Sequence, residues 1–101
     1  MSSNNRFSEP NLFILISLAD GNKHGYAIME DIETSYGNKI GPGTLYGAIS
    51  RLEDQQLIDA LPSEDRRKPY QITQKGRKYL EEKLKEIETV TKIGFQRLGL
   101  V

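Results

Sequence analysis

The stretch that decides the fold reads GPGTLYGAISRLEDQQLI at residues 41–58, and RRKPYQI follows it at residues 66–72. Gly41 can serve as a helix N-cap, and Pro42 suits the first helical position because its missing N–H is one that a helix start leaves unpaired. Apolar residues then recur at spacings of three and four, which predicts a helix that ends near Gln55. The residues of this apolar stripe are Leu45, Ala48, Ile49 and Leu52.

A β-hairpin is predicted directly after this helix. Residues 57–61 alternate enough between apolar and polar side chains for a short strand, and residues 62–65 are typical of a turn. Residues 66–72 form the second strand. Pro69 predicts that this strand lies at the edge of the sheet, because proline cannot donate a hydrogen bond to a neighbouring strand.

Helical patterns occupy the rest of the chain. Residues 11–19, which follow Pro10, are nearly all apolar and predict a buried helix, with a buried strand as the alternative. Residues 24–36 predict a second helix, and a long last helix is predicted over residues 74–97 with Thr73 as its N-cap. The order is therefore helix, helix, helix, hairpin, helix.

This order of elements is that of a winged helix-turn-helix. We expect a mainly α (α+β) fold, with a DNA-binding domain at residues 10–72 and a C-terminal dimerisation helix at residues 73–101, the two forming one compact unit. In such folds the second helix of the helix-turn-helix enters the major groove of DNA. The hairpin, or wing, would then lie near the DNA backbone or the minor groove.

Composition narrows the classes of function. The chain has 101 residues, no cysteine and one histidine, which predicts one domain without disulfides, thiolate metal sites or a multi-histidine metal site. Because no nucleophile is paired with a base, we expect neither an enzyme nor a bound cofactor. No apolar run reaches the roughly 18 residues of a membrane span, and residues 1–5 lack the features of a signal peptide, so a cytoplasmic protein is expected.

The charges are unevenly distributed along the chain. Fourteen basic residues balance fourteen acidic ones, yet residues 66–78 contain six basic residues and no acidic one. A neutral total can therefore conceal a basic face, which attracts phosphates. The alternative is a basic turn that is merely solvated.

Three segments resemble one known family. They are HGYAIMEDIE at residues 24–33, GPGTLYGAISRLEDQQLI at residues 41–58 and RRKPYQITQKGRKYL at residues 66–80. Together with the apolar first helix, they are similar to the PadR family of bacterial transcriptional regulators, over about Leu12 to Leu84. The resemblance implies a winged-helix dimer that represses genes, whose first and last helices form the dimer interface. The single C-terminal helix resembles the small-subunit branch of that family.

Two residues depart from the family pattern. Many relatives carry a serine where this chain has Gly41, and a glycine N-cap costs only about a few tenths of a kcal/mol. Relatives often have a glycine that stops the helix where this chain has Gln56. Gln56 must therefore adopt a left-handed conformation, or the helix must end differently. Both departures concern stability rather than contacts with DNA.

The wing, the exposed side of the third helix and Tyr26 of the second helix carry the candidate DNA contacts. Arg51 is the side chain on that helix able to hold a guanine with two hydrogen bonds, unless it pairs with a neighbouring carboxylate. Tyr26 and Tyr46 could instead pack against the protein's own helices, and His24 is predicted to have a structural role at the start of the second helix. The candidate DNA contacts are Tyr26, Thr44, Tyr46, Ser50, Arg51, Arg66, Arg67 and Lys68.

The first and last helices carry the candidate dimer contacts. One small domain cannot cover apolar side chains on every face of the first helix, so a second subunit is expected to cover the remainder. The apolar stripe of the last helix predicts packing on a partner helix, with packing inside the chain as the alternative. The candidate dimer contacts are Leu12, Phe13, Leu15, Ile16, Leu80, Leu84, Ile87 and Val90.

The sequence thus predicts a sequence-specific DNA-binding regulator, a repressor that binds an inverted-repeat operator as a homodimer. The alternative is a winged helix that serves only protein–protein contact, but such a module has no need of an outward-facing basic wing. A small-molecule inducer is possible, and the sequence does not identify it. Some relatives stack aromatic drugs on a tryptophan between the last helices, whereas this chain has no tryptophan and carries Ile87 at about that position. Phe13 and Phe95 leave an apolar cavity conceivable.

Overall fold

The computed structural model describes residues 10–100, which form four helices and three short strands. The element order confirms the predicted mainly α winged helix-turn-helix with a long C-terminal helix, and the first apolar segment is a helix rather than a strand. Expectations about residues 1–9, including the missing signal peptide, and about Val101 lie outside the described residues. In chain order the elements are α1 (Pro10–Ala19), β1 (Lys23–His24), α2 (Gly25–Tyr36), α3 (Pro42–Asp54), β2 (Ile58–Ala60), β3 (Pro69–Ile72) and α4 (Gln74–Arg97).

Helix α1 lies at the centre of the core. It contacts α2, α3, α4 and β3, and its Ile14, Leu15 and Leu18 side chains are buried. Helix α3 starts as expected, with Gly41 as N-cap and Pro42 as its first residue, and its predicted apolar stripe is buried against this core. Each fully buried aliphatic side chain of this kind contributes about 1.5–3 kcal/mol relative to leaving it in water.

One candidate dimer contact belongs instead to the core of the single chain. Leu15 is 0 % exposed and has no surface to offer a partner, so the prediction is wrong for this residue, whereas Leu80 is 6 % exposed and lines the concave surface beside Leu84. An apolar run without polar gaps does not indicate which side of the helix faces its own domain. Phe13 is half-buried, and its ring packs on that of Tyr36 with the ring centroids 4.4 Å apart.

The sheet has three antiparallel strands in the order β1-β3-β2. The predicted hairpin is present as β2 and β3, but the prediction that β3 lies at the edge is wrong because β1 pairs with its other side, placing Lys23 opposite Tyr70. Pro69 fits this central strand because it is the first residue, where proline is tolerated. Its carbonyl oxygen accepts a hydrogen bond from the Leu61 N–H at 2.8 Å.

Helix α4 begins in a joint that ties it to the end of α3. The Thr73 hydroxyl accepts a hydrogen bond from the Gly76 N–H at 2.9 Å and donates one to the Gln56 carbonyl at 2.8 Å. Gln56 has φ 65°, so of the two alternatives expected at this position the chain adopts the left-handed conformation. A Cβ on Gly76 would overlap the carbonyl oxygen of Leu57, so the start of α4 packs directly on the segment that leaves α3.

Beyond this joint α4 extends away from the core. Of its 24 residues, the buried ones are Gly76 and Leu80, whereas Leu84, Ile87 and Val90 are 41 %, 43 % and 69 % exposed. The domain is 54 Å along its longest axis as a result. No helix within residues 10–100 is both long enough and apolar enough to cross a membrane.

Candidate nucleic-acid interface

The side of α3 opposite the core is exposed to solvent. Thr44, Ser50 and Arg51 all lie on this exposed side. The Arg51 Nη1 atom lies 3.7 Å from the position that a Cβ would take on Gly47, so the side chain runs back along the helix towards its N-terminus. Within the described part of the chain Arg51 forms no ion pair with a neighbouring carboxylate, which leaves its guanidinium group available to a ligand.

Asp65 shapes the tip of the wing between β2 and β3. Its carboxylate accepts hydrogen bonds from the Arg67 backbone N–H at 2.9 Å and the Ser63 hydroxyl at 3.0 Å. These two bonds, with smaller contributions from the charges of Arg67 and His24, hold the pKa of the Asp65 carboxyl below its ordinary value. The basic side chains of the wing remain exposed, and no ion pair among residues 10–100 neutralises them. These side chains are Arg66, Arg67 and Lys68.

The wing, the start of α2 and one side of α3 enclose a cleft of about 210 Å³, which we call the tyrosine–arginine cleft. Five of the eight candidate DNA contacts line it, namely Tyr26, Tyr46, Arg66, Arg67 and Lys68. The three others, on α3, lie outside its lining. Three further residues complete the cleft, namely His24, Gly25 and Tyr70.

His24 connects the wing to the helix-turn-helix. Its Nδ1 accepts a hydrogen bond from the Ala27 N–H at 3.4 Å as the N-cap of α2, which confirms its predicted structural role. As part of β1 it also pairs with Pro69 of β3. The two-residue strand holds the wing against the start of α2, and this is why residues far apart in sequence meet in one cleft. A strand this short carries no periodic signal, so the sequence did not indicate it.

The tyrosines of the cleft provide hydroxyl groups beside the basic wing. Tyr26 is 59 % exposed and Tyr46 is 48 % exposed, so neither side chain is part of the buried core. Tyr70 is buried, and that burial, followed by the charge of Glu53 and the presence of Tyr46, raises the pKa of its phenol. Hydroxyl, guanidinium and ammonium donors around one concave surface suit a phosphate group, which accepts several hydrogen bonds at once.

Comparison with known proteins shows the family to which this chain is similar. Residues 14–82 match the family described as the transcriptional regulator PadR-like family. The chain belongs to this family. The match includes the whole helix-turn-helix, the wing and the joint at the start of α4, and it places this PadR-like chain among transcriptional regulators rather than enzymes.

Relatives of this PadR-like chain include regulators of known structure. A transcriptional regulator from Clostridium thermocellum is 31 % identical, with a TM-score of 0.80, over 95 % of this chain and 96 % of that one. An uncharacterized protein in a transposon of Streptomyces fradiae is 45 % identical over 76 residues, which are 75 % of this chain and 22 % of the relative. The transcriptional regulator YqjI from Escherichia coli is 32 % identical over 84 residues, covering 81 % of this chain and 41 % of YqjI. The PadR-like chain thus spans less than half the length of these two curated relatives.

Proposed function

We propose that this PadR-like chain binds duplex DNA as a homodimer and represses transcription from an inverted-repeat operator. The observation that carries the proposal is the tyrosine–arginine cleft, which lies beside the exposed side of α3. Such a regulator would act in the cytoplasm, where the DNA is. In such a protein, some residues contact the DNA backbone and position the protein, whereas others contact the base edges and determine which sequence is bound.

The cleft and the wing would bind the DNA backbone. Tyr26, Tyr46 and the three basic wing residues present hydrogen-bond donors, and within residues 10–100 none of the basic ones forms an ion pair, so they are available for sequence-independent phosphate contacts. Base reading would fall to α3. Arg51 can hold a guanine with two hydrogen bonds, whereas Thr44 and Ser50 can serve a phosphate or more than one base.

Dimerisation would proceed through α1 and α4. The exposed candidate contacts on α4 follow one another along the helix as Leu84, Ile87 and Val90, and Leu12 and Ile87 line a groove of about 440 Å³ between the two helices. Leu12 and Ile16 pack partly against the core and remain partly exposed. A second α4 in this groove would remove that surface from water. A dimer would also cover the concave surface of about 700 Å³ beside Leu84 and Ile87.

The proposal is tested by titrating a labelled duplex of mixed sequence with the protein at several salt concentrations. We expect the affinity to fall steeply with salt, and the double variant Arg67→Ala/Lys68→Ala to bind every sequence more weakly. Its log–log salt slope should be smaller by roughly 2 per protomer, or roughly 4 for the homodimer, since each lost phosphate contact removes roughly 1.

The matched control removes the same charge from another part of the molecule. Lys92→Ala/Arg97→Ala changes one exposed lysine and one exposed arginine of α4 that lie outside the basic stretch of residues 66–78, so its net charge equals that of the wing variant. We expect it to keep the wild-type salt slope. Equal log–log salt slopes for the wild type and the wing variant would show that the wing is a solvated turn without DNA contacts. A wild type without measurable affinity for duplex DNA would favour the alternative, a winged helix for protein–protein contact.

A further inference from the structure

The ring of Tyr46 packs directly on the backbone of Gly25, the first residue of α2. A Cβ built on Gly25 would lie 2.6 Å from Cζ and 2.8 Å from Cε1 of Tyr46 and would also overlap its hydroxyl oxygen. Real Cβ atoms do not approach other atoms this closely, so the ring can occupy its place because residue 25 has no side chain. Gly25 is buried beneath it, whereas Tyr46 remains 48 % exposed on the side of the cleft.

The conformation of Gly25 does not itself demand a glycine. Its φ lies outside the left-handed region, in contrast to Gly37 and Gly99 within the described residues. Alanine is in addition the better helix former. The backbone of α2 would therefore accept an alanine, and the remaining reason for glycine at this position is the space taken by the Tyr46 ring.

From this contact we infer that Gly25 is a positioning residue for DNA binding, which acts by seating the Tyr46 ring in the tyrosine–arginine cleft. The inference rests on the proposed function. Tyr46 is on α3, and Arg66, Arg67 and Lys68 are on the wing. The seat on α2 directs the Tyr46 hydroxyl to the surface that these basic side chains share. Without the seat the ring would swing towards solvent and its hydroxyl would leave the cleft.

The contact at Gly25 differs in kind from that at Gly76. The atoms that a Gly25 Cβ would meet are the far end of a side chain that is half exposed, which can move at little cost to the fold. At Gly76 the obstructing atom is the backbone oxygen of Leu57, which cannot move independently. Gly25→Ala should therefore reduce DNA affinity while the protein stays folded.

The test compares DNA affinity and thermal unfolding of Gly25→Ala, Tyr46→Ala and the double variant with the wild type, all as full chains. We expect Gly25→Ala to bind the duplex about tenfold more weakly per protomer, the effect of one lost hydrogen bond to a phosphate, with an unchanged unfolding temperature. In the Tyr46→Ala background the same substitution should have no further effect on affinity, because the ring that it displaces is absent.

Gly21→Ala is the matched control, since a Cβ at that exposed turn meets nothing within 4 Å. It should bind DNA as the wild type does. The inference is overturned if Gly25→Ala binds DNA with wild-type affinity, or if it still lowers the affinity in the Tyr46→Ala background. It is also overturned if Gly25→Ala fails to fold, because the Tyr46 ring would then be unable to move aside. A wild type that does not bind DNA at all overturns the proposed function instead, so the two failures are distinguishable.

Discussion

Thr73→Ala should destabilise the fold through the joint between α3 and α4. The hydroxyl of Thr73 makes two hydrogen bonds, one that caps α4 at Gly76 and one to the carbonyl of Gln56. Loss of an N-cap costs about 1 kcal/mol, and a hydrogen bond within a protein contributes about 1 kcal/mol net. The free energy of unfolding should therefore fall by about 2 kcal/mol, which corresponds to a loss of roughly 10 °C in unfolding temperature for a domain of this size.

The assay is urea unfolding followed by far-UV circular dichroism, at one fixed protein concentration because unfolding of a dimer depends on concentration. Thr73→Ser is the control. It keeps the hydroxyl, so its free energy of unfolding should stay within about 0.5 kcal/mol of the wild type, the range of substitutions that remove no such interaction. Equal destabilisation by Ala and Ser would refute the reasoning, because the lost methyl group rather than the hydrogen bonds would then account for the effect.

Three further outcomes are expected. Sedimentation at micromolar concentration should give about twice the chain mass of 11.5 kDa, and Ile87→Glu should give a folded monomer because it places a charge on the exposed surface of α4; a monomeric wild type would contradict the dimer. Selection of bound DNA from a random pool should yield a two-fold symmetric motif. Arg51→Ala should lower the discrimination between bases by about 1–3 kcal/mol at one symmetric pair of positions, whereas Ser50→Ala should leave the base preference unchanged. An asymmetric motif would refute the placement of α3 in the major groove. The Asp65 carboxyl should titrate below its ordinary pKa of 3.8, so that the stability it contributes is present above the ordinary pKa and is lost as the pH falls through the lowered value. An NMR titration midpoint at or above 3.8 would exclude the wing-tip bonds.

Local sequence signals predicted the helices well. Pro10, Pro42 and Thr73 were expected to begin or cap helices, and α1, α3 and α4 begin where these residues predict. A left-handed conformation was one of two alternatives expected at Gln56, and its φ of 65° shows that this is the one adopted. Such signals work because caps, breakers and periodic apolar residues act on a backbone only a few residues away.

The errors occurred where the outcome depends on packing between distant segments. Pro69 was expected to mark an edge strand, but β1 has two residues and pairs with β3 only because the start of α2 lies beside the wing. Leu15 was expected at a dimer interface and is fully buried in the core. An apolar side chain looks the same in a sequence whether its own domain or a partner covers it.

The sequence by itself determined the order of the elements, the bounds of most helices, the basic wing and the resemblance that placed the chain in its family. Only the tertiary structure decided that Tyr26, Tyr46 and the wing share one cleft, and that Gly25 leaves room for the Tyr46 ring. The physical reason is the distance along the chain over which each kind of interaction acts. Helix capping and periodicity involve neighbours along the chain, whereas the cleft depends on α2, α3 and β3 reaching one place through the packing of the core around α1.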